Sequence, residues 1–537
     1  MAKSKTTSFL MFALFGLSVA AFAQNRYVVY FKDKNSSTYK ISEPAKFLTP
    51  RSIERRLKQD IKINDGDLPV NSSYVSQVRD AGTNVWFTSR WLNCVLIEAN
   101  PDIAGLIQSF AFVSRVELVA PGTRSASART KSPKGRKQST ISEATRKQLE
   151  MVGIDDMHDD DIFGDGVLVA ILDSGFPGVD NTEPFQHLFA GNKIGDVYDF
   201  VENTKSVYRY DEHGTEVFSV IAANSSKYTG GAYEASFLLY VTEDVPTEYR
   251  VEEYNWLFAA ERADSLGADV IQTSLGYNTD FDDKSMDYDK TTDLNGKVAI
   301  ISKAASAALE RGIVVVVSAG NEGNNSWGLV TPPADVDGVI AVGSVTSEGT
   351  RSAFSSTGPT SDNRIKPDVA ALGSGVSVIR ANGTNGFESG TSLAAPIVSS
   401  LVIGLIQKYP NVAPNVIVDK LMSSASQAAH PDNLLGYGIP DYTKAKIALE
   451  GSVPFEDISI YPNPTDTGKF SVRFKQVGIQ ATIIIYDLNG KILSSHVVDI
   501  TSDNNPVEIN MADLPASSYL VKVKTSDNFT AFRLVKL

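Results

Sequence analysis

Apolar residues in the middle of this chain fall into unbroken runs, separated by longer stretches with helical spacing. Runs at 167–172, 237–242, 270–273, 313–318 and 339–342 predict strands. Stretches at 215–223, 251–266, 302–311, 392–409 and 414–425 predict helices. A strand that is apolar at every position has both faces buried. Such strands alternating with helices predict a parallel sheet covered on both sides, so 148–450 reads as an α/β domain.

The flanking pattern differs. Strand signals at 27–31 and 113–119, with helix signals at 52–59 and 103–109, predict a small α+β domain over 24–120. Residues 121–147 are rich in Ser, Thr, Lys and Arg and nearly lack apolar positions, which predicts an exposed linker. The Lys134-Gly135-Arg136-Lys137 cluster suits anion binding or, better in an exported chain, a protease-accessible processing site. From 454 to 537 the runs are short and alternating, as at Phe470, Val472, Phe474 and at Tyr519, Val521, Val523. With Asn489-Gly490 as a hairpin turn, this predicts a separate β-sandwich.

Composition changes the picture in three ways. Lys3 and Lys5 precede an apolar core, and Ala21-Phe22-Ala23 gives small-x-small spacing, so 1–23 reads as a secretion signal. No later segment reaches spanning length without charges, so no transmembrane span is expected in the mature chain. The net charge of -13 argues against a nucleic-acid partner. A single cysteine, Cys94, lies in an apolar run and excludes a disulfide framework; it reads as a small core residue.

Four residues carry the candidate chemistry. Asp173 ends the 167–172 run, at the carboxyl end of a parallel strand where such sheets place their sites. His213 precedes Gly214-Thr215 and an apolar helix. Asn321 follows Val314–Val317, Ser318 and the Ala319-Gly320 turn, where its amide suits a developing oxyanion. Ser392 sits in Gly390-Thr391-Ser392-Leu393-Ala394-Ala395-Pro396, at a helix start whose unpaired N–H groups face incoming negative charge. Each alone also fits a plain structural role: a turn acid, a framed histidine, a turn asparagine, a helix cap. In the order Asp, His, Ser, with His213 40 residues after Asp173 and Ser392 179 after His213, they fit one mechanism of nucleophilic attack.

These four segments together resemble the subtilase family over 148–450. The resemblance implies Asp173, His213 and Ser392 as the triad of a serine endopeptidase, with Asn321 and the Ser392 N–H as oxyanion donors. It implies a cleft walled by Ser274, Leu275 and Gly276 on one side and Ala319 and Gly320 on the other. Gln272 stands where the family often has asparagine, and Ser400 where it usually has Ala or Gly. No cofactor is expected for catalysis. The acidic stretch with Asp280, Asp282, Asp283, Asp287, Asp289 and Asp293 reads as a solvated loop or, as in many subtilases, a calcium site. Glu252-Glu253 offers a preference for basic substrates.

The flanks complete the resemblance. Residues 24–120 occupy the place of a subtilase propeptide that inhibits the enzyme and assists its folding. Ile460-Tyr461-Pro462-Asn463-Pro464, the 485–491 segment and the final Phe532-Arg533-Leu534-Val535-Lys536-Leu537 resemble the type IX secretion sorting domain of Bacteroidetes. Ser517-Ser518 replaces the usual glycine before Tyr519. The expected partners are peptide substrates, the propeptide and the type IX machinery, and the expected location is outside the cell or on its surface. The rival readings are a binding protein on an inactive subtilase scaffold and, for the tail alone, a carbohydrate- or protein-binding sandwich.

Overall fold

The computed structural model describes residues 24–122, 142–450, 458–474, 477–487, 490–525 and 529–537. The signal segment 1–23, the basic cluster 134–137 and Asn489 of the hairpin turn lie outside them.

Seven parallel strands form the central sheet, in the spatial order Val369–Leu372, Ile340–Val345, Val314–Ser318, Val270–Thr273, Leu168–Asp173, Ser236–Val241, Ile194–Asp199. Side chains alternate across a strand. Val169, Ile171, Val314 and Val316 enter one core, beneath the helices His213–Ala222 and Thr391–Lys408. Ala170, Leu172, Val315 and Val317 enter the other, beneath Val251–Leu266 and Ile300–Glu310. That double burial is why these strands read as unbroken apolar runs. From Leu168–Asp173 the chain goes to the edge strand Ile194–Asp199, returns to Ser236–Val241 between them, and then crosses to build outward on the other side, so the order reverses at Leu168–Asp173. Asp173 therefore stands at the crevice of a topological switch point.

Two strands of this sheet escape the sequence pattern, and both are its edges. Ile194–Asp199 is only partly buried and carries Gly195 and Asp196. Val369–Leu372 is four residues long, with two alanines that suit a helix equally well. The linker is also shorter than expected. Helix Ser142–Glu150 begins inside 121–147, and Thr145, Gln148 and Leu149 turn one buried face inward. Two of those three residues are polar, so no apolar stripe marks this helix in the sequence. Helix Thr391–Lys408 is long and apolar enough to cross a membrane, but 83% of that stretch lies inside the fold.

The N-terminal domain is an antiparallel sheet in the order Asn84–Ser89, Cys94–Ala99, Asn25–Phe31, Val113–Ala120. One face, with Tyr27, Val29 and Phe31, packs with the domain's own helices, Ser72–Asp80 and Pro101–Gln108. The other, with Val28, Tyr30, Cys94 and Leu96, joins the core formed by the Val251–Leu266 and Ile300–Glu310 helices. Asp264 at this junction accepts Arg55, Arg56 and Arg90 at 2.5–2.7 Å, all of them buried. Burial opposes the Asp264 charge, but Arg90, Arg55 and Arg56 more than offset it and hold the carboxyl below its usual range. Cys94 is buried, and that burial pushes its thiol up, as expected of a core residue.

The C-terminal strands form two facing sheets. One holds Ile458–Tyr461, Lys469–Phe474 and Val507–Asn510; the other holds Ile492–Ile500, Ile479–Tyr486, Ser517–Lys524 and Phe529–Lys536. Phe470, Val472 and Phe474 meet Ile483, Ile485, Tyr519, Val521 and Val523 between them.

Candidate active site

Asp173 is fully buried at the end of its strand. Its Oδ1 accepts the Ser174 N–H at 2.8 Å, the Ser174 hydroxyl at 3.1 Å and His213 Nδ1–H at 2.8 Å. His213 opens its helix, and its own N–H donates to Asp211 Oδ1 at 2.9 Å, which fixes the helix start. Gly214 makes the approach of this helix possible. A Cβ there would lie 2.2 Å from the Gly175 carbonyl oxygen and 3.0 Å from Asp173 Cβ, so any side chain would push the ring off the acid. The Asp173–His213 contact fixes the ring tautomer, with Nδ1 protonated and Nε2 left to act as base.

Charge around the ring favours the imidazolium. Burial alone would lower the His213 pKa, but the Asp173 charge and hydrogen bond, with Asp211 and Glu216 behind them, raise it to about 9. A base must be neutral to accept a proton, so activity is expected to rise with pH along a limb displaced above 6.5 toward about 9. The ring's contribution to folding runs the other way: present below about 6.5 and lost as pH rises through about 9. A kcat/KM titration checks the limb, and a limb at or below the ordinary histidine range would refute the assigned field.

Ser392 arrives on the other helix that covers this face of the sheet. The hairpin of Val376–Ile379 and Asn385–Glu388 leads into Gly390 and then the helix Thr391–Lys408. A Cβ on Gly390 would lie 2.7 Å from Ser392 Oγ and 3.7 Å from Asn321 Nδ2. The bare face of Gly390 is thus where hydroxyl and amide meet, and glycine keeps it open. Asn321 is exposed, but its orientation is set: Oδ1 accepts the Thr391 N–H at 2.9 Å and the Thr391 hydroxyl at 3.0 Å. With the oxygen occupied, the amide NH2 is the group left to face a ligand. Among the described residues Ser392 Oγ makes no hydrogen bond to His213; this contact is often long in unliganded sites and tightens in the complex.

Arg380 links the two halves of the site. Its guanidinium lies 3.4 Å from Glu212 and 3.5 Å from Glu216 on the His213 side, and pairs with Glu388, four residues before Ser392. Burial, with the Glu388 charge, raises Glu216 to about 7. The segments expected as cleft walls are joined as well. The Thr331 N–H donates to the Ala319 carbonyl at 3.2 Å, and the Tyr277 N–H donates to the Pro332 carbonyl at 3.2 Å. Leu275 is half-buried and Gly276 exposed, while the Ser274 hydroxyl donates to the Ser392 carbonyl at 2.7 Å. The Gly320 N–H donates to Thr391 Oγ1 at 3.2 Å. Arg380 and Thr331 carried no sequence signal, and Thr391 was legible only as part of the serine motif, because each acts through partners distant in the chain. Ser400 is buried and its hydroxyl donates to the Pro396 carbonyl at 2.9 Å, so the small polar residue packs at that position.

One sequence expectation is corrected. Glu252 and Glu253 do not face a substrate cleft; both are buried. Glu253 accepts the Tyr288 hydroxyl at 2.6 Å and the Ile301 N–H at 3.0 Å, and Glu252 accepts the Tyr249 N–H at 2.9 Å. The acidic loop uses carboxylates for its own turns: Asp283 accepts Ser285 N–H and hydroxyl, Asp289 those of Thr291, and Asp293 the Asp289 N–H. Asp282 instead pairs with the 248 segment, accepting the Glu248 N–H at 3.3 Å. The described carboxylates that do converge are Glu243, Glu248 and Glu252, with ligand atoms within 4.8 Å of one another. Burial raises Glu243 to about 7, and Tyr277 donates to it at 2.6 Å.

The sequence profile of the subtilase family matches residues 164–438, just over half of the chain. The chain belongs to the subtilase family. The Bacteroidota peptidase S8 propeptide domain matches residues 26–137 of this subtilase, and the secretion system C-terminal sorting domain matches 459–536. The sorting domain marks the chain for export, to be released or held at the cell surface. Subtilisin E of Bacillus subtilis is 33% identical over 275 residues, covering 50% of this chain and 63% of its own length. The subtilisin of Bacillus pumilus is 31% identical over 273 residues, covering 50% of this chain and 87% of its own. The epidermin leader peptide processing serine protease of Staphylococcus aureus shares the fold. Its TM-score is 0.55 at 18% identity, over 79% of this chain and 99% of that one.

Proposed function

We propose that this subtilase is a secreted serine endopeptidase. The observations that carry the reading are the pairing of a buried Asp173 with a half-buried His213, 2.8 Å apart, and a bare Gly390 where Ser392 Oγ and the Asn321 amide converge. In this reading Ser392 Oγ attacks the scissile carbonyl while His213 Nε2 takes its proton. Asp173 stabilises the resulting imidazolium. Asn321 Nδ2 and the Ser392 N–H hold the oxyanion. The leaving amine then takes the proton from His213, and water repeats the sequence to free the acyl group and restore Ser392. The reaction draws on protein groups alone and needs no cofactor.

The substrate is an extended peptide paired along Ser274–Gly276 and Ala319-Gly320, as an added strand. The N-terminal domain is the enzyme's own propeptide, displaced before substrate enters, and the tail engages the type IX machinery. An activity-based fluorophosphonate probe tests the reading against an inactive scaffold. Processed protein is expected to form one adduct, at Ser392, and to lose peptide hydrolysis in step with labelling. Processed, folded protein without that adduct would refute it.

A further inference from the structure

Helix Thr391–Lys408 contains a proline, Pro396, four residues after the nucleophile. In an α-helix the carbonyl of residue i accepts the N–H of residue i+4. Proline has no N–H, so the Ser392 carbonyl is denied its intrahelical partner. Ser392 is only 9% exposed, and a buried carbonyl left unpaired costs about 1–3 kcal/mol. The missing donor comes from another element. Ser274 Oγ lies 2.7 Å from the Ser392 carbonyl oxygen.

A hydroxyl has one proton, and here it is spent on that carbonyl. The Ser274 oxygen can then only accept, and Gln272 Nε2 donates to it at 2.8 Å. This pairing also fixes which end of the Gln272 amide faces Ser274, since an oxygen there would compete for the same proton. Gln272 is fully buried in the strand Val270–Thr273, in register with Ile171 of the Asp173 strand and with Val316. The next residue clamps the same strands: Thr273 Oγ1 donates to the Leu172 carbonyl and accepts Trp256 Nε1, each at 3.2 Å.

We propose that Gln272 and Ser274 are positioning residues: a relay that supplies the donor Pro396 withholds, and so ties the nucleophile's backbone to the sheet that carries Asp173. The inference rests on the serine endopeptidase reading. Its purpose is geometric. The helix start that carries Ser392 would otherwise be free to shift against the strand end that carries Asp173, and about 1 Å of misplacement costs on the order of 10² in rate.

The test is a set of double-mutant cycles, read as kcat and KM for a peptide substrate on processed full-length protein, with thermal unfolding of each variant. Ser274→Ala is expected to lower kcat about 10-fold or more with KM little changed, because the cleft wall is backbone. Pro396→Ala restores an N–H aimed at the Ser392 carbonyl, so in that background the cost of Ser274→Ala is expected to fall below about 3-fold. Gln272→Met keeps the volume and removes the donor. It is expected to lower kcat by itself and to add nothing once Ser274 is alanine. Equal losses from Ser274→Ala in both backgrounds, or additive losses from Gln272→Met and Ser274→Ala, would overturn the relay. Should Pro396→Ala not fold, the Gln272–Ser274 cycle alone decides. Absence of hydrolysis and of probe labelling in the folded parent would instead defeat the endopeptidase reading, so the two failures are distinct.

Discussion

Ser392→Ala is expected to lower kcat about 10⁶-fold with KM near the parent value, the scale found when the serine or histidine of the subtilisin triad is removed. The walls proposed to bind an extended peptide are Ser274–Gly276 and Ala319-Gly320, held together through Thr331 and Pro332, and none of these depends on the Ser392 hydroxyl. Binding should survive while the bond-forming atom is lost. Because proton acceptance by His213 has no purpose without that hydroxyl, adding His213→Ala is expected to cost almost nothing more. Single-turnover and steady-state hydrolysis of a chromogenic peptide check both statements. Residual kcat above a hundredth of the parent's would assign the chemistry to another group.

The second large effect is expected at Asn321. Asn321→Ala removes one oxyanion donor and should lower kcat about 10²–10³-fold, leaving KM nearly unchanged, since the donor matters most once charge has moved onto the oxygen. Asn321→Asp is the sharper test. An aspartate can still accept from the Thr391 N–H and hydroxyl, which hold the native side chain at 2.9 and 3.0 Å. It would then place an acceptor oxygen, with negative charge, where the NH2 stood. A loss at least as great as that of alanine is expected, in a protein of parent-like thermal stability. Activity retained by Asn321→Asp would show that the amide does not face the oxyanion.

Much of this site was legible in the chain because its signals are local. A strand buried on both faces must be apolar at each position, and the acid at its end marks the crevice. A helix that approaches Asp173 as closely as that of His213 needs the glycine that follows the histidine. What escaped was set by partners far away in sequence. Glu252 and Glu253 look like the solvated face of a helix. The helix Val251–Leu266 is instead buried nearly all round: the Tyr288 segment and the Ile300–Glu310 helix close over Glu253, Tyr249 caps Glu252, and the N-terminal domain covers the far end. Its Asp264 and Glu261 meet Arg55, Arg56, Arg90 and Ser89 of that domain. The edge strand Ile194–Asp199 went unread for the converse reason: one side of an edge is open, so no apolar run marks it.

By itself the sequence determined the domain order, the parallel sheet and which residues stand as candidate acid, base, nucleophile and amide, since each depends on residue type within a few neighbours. Only the tertiary structure decided how they are held. The Asp173–His213 contact, the Arg380 link between the two halves, the Thr391 grip on Asn321 and the Ser274 bond to the Ser392 carbonyl join segments from 8 to 168 residues apart. Such contacts follow from how helices settle on a sheet, and hydrogen-bond direction then selects which atom of each side chain remains free to act.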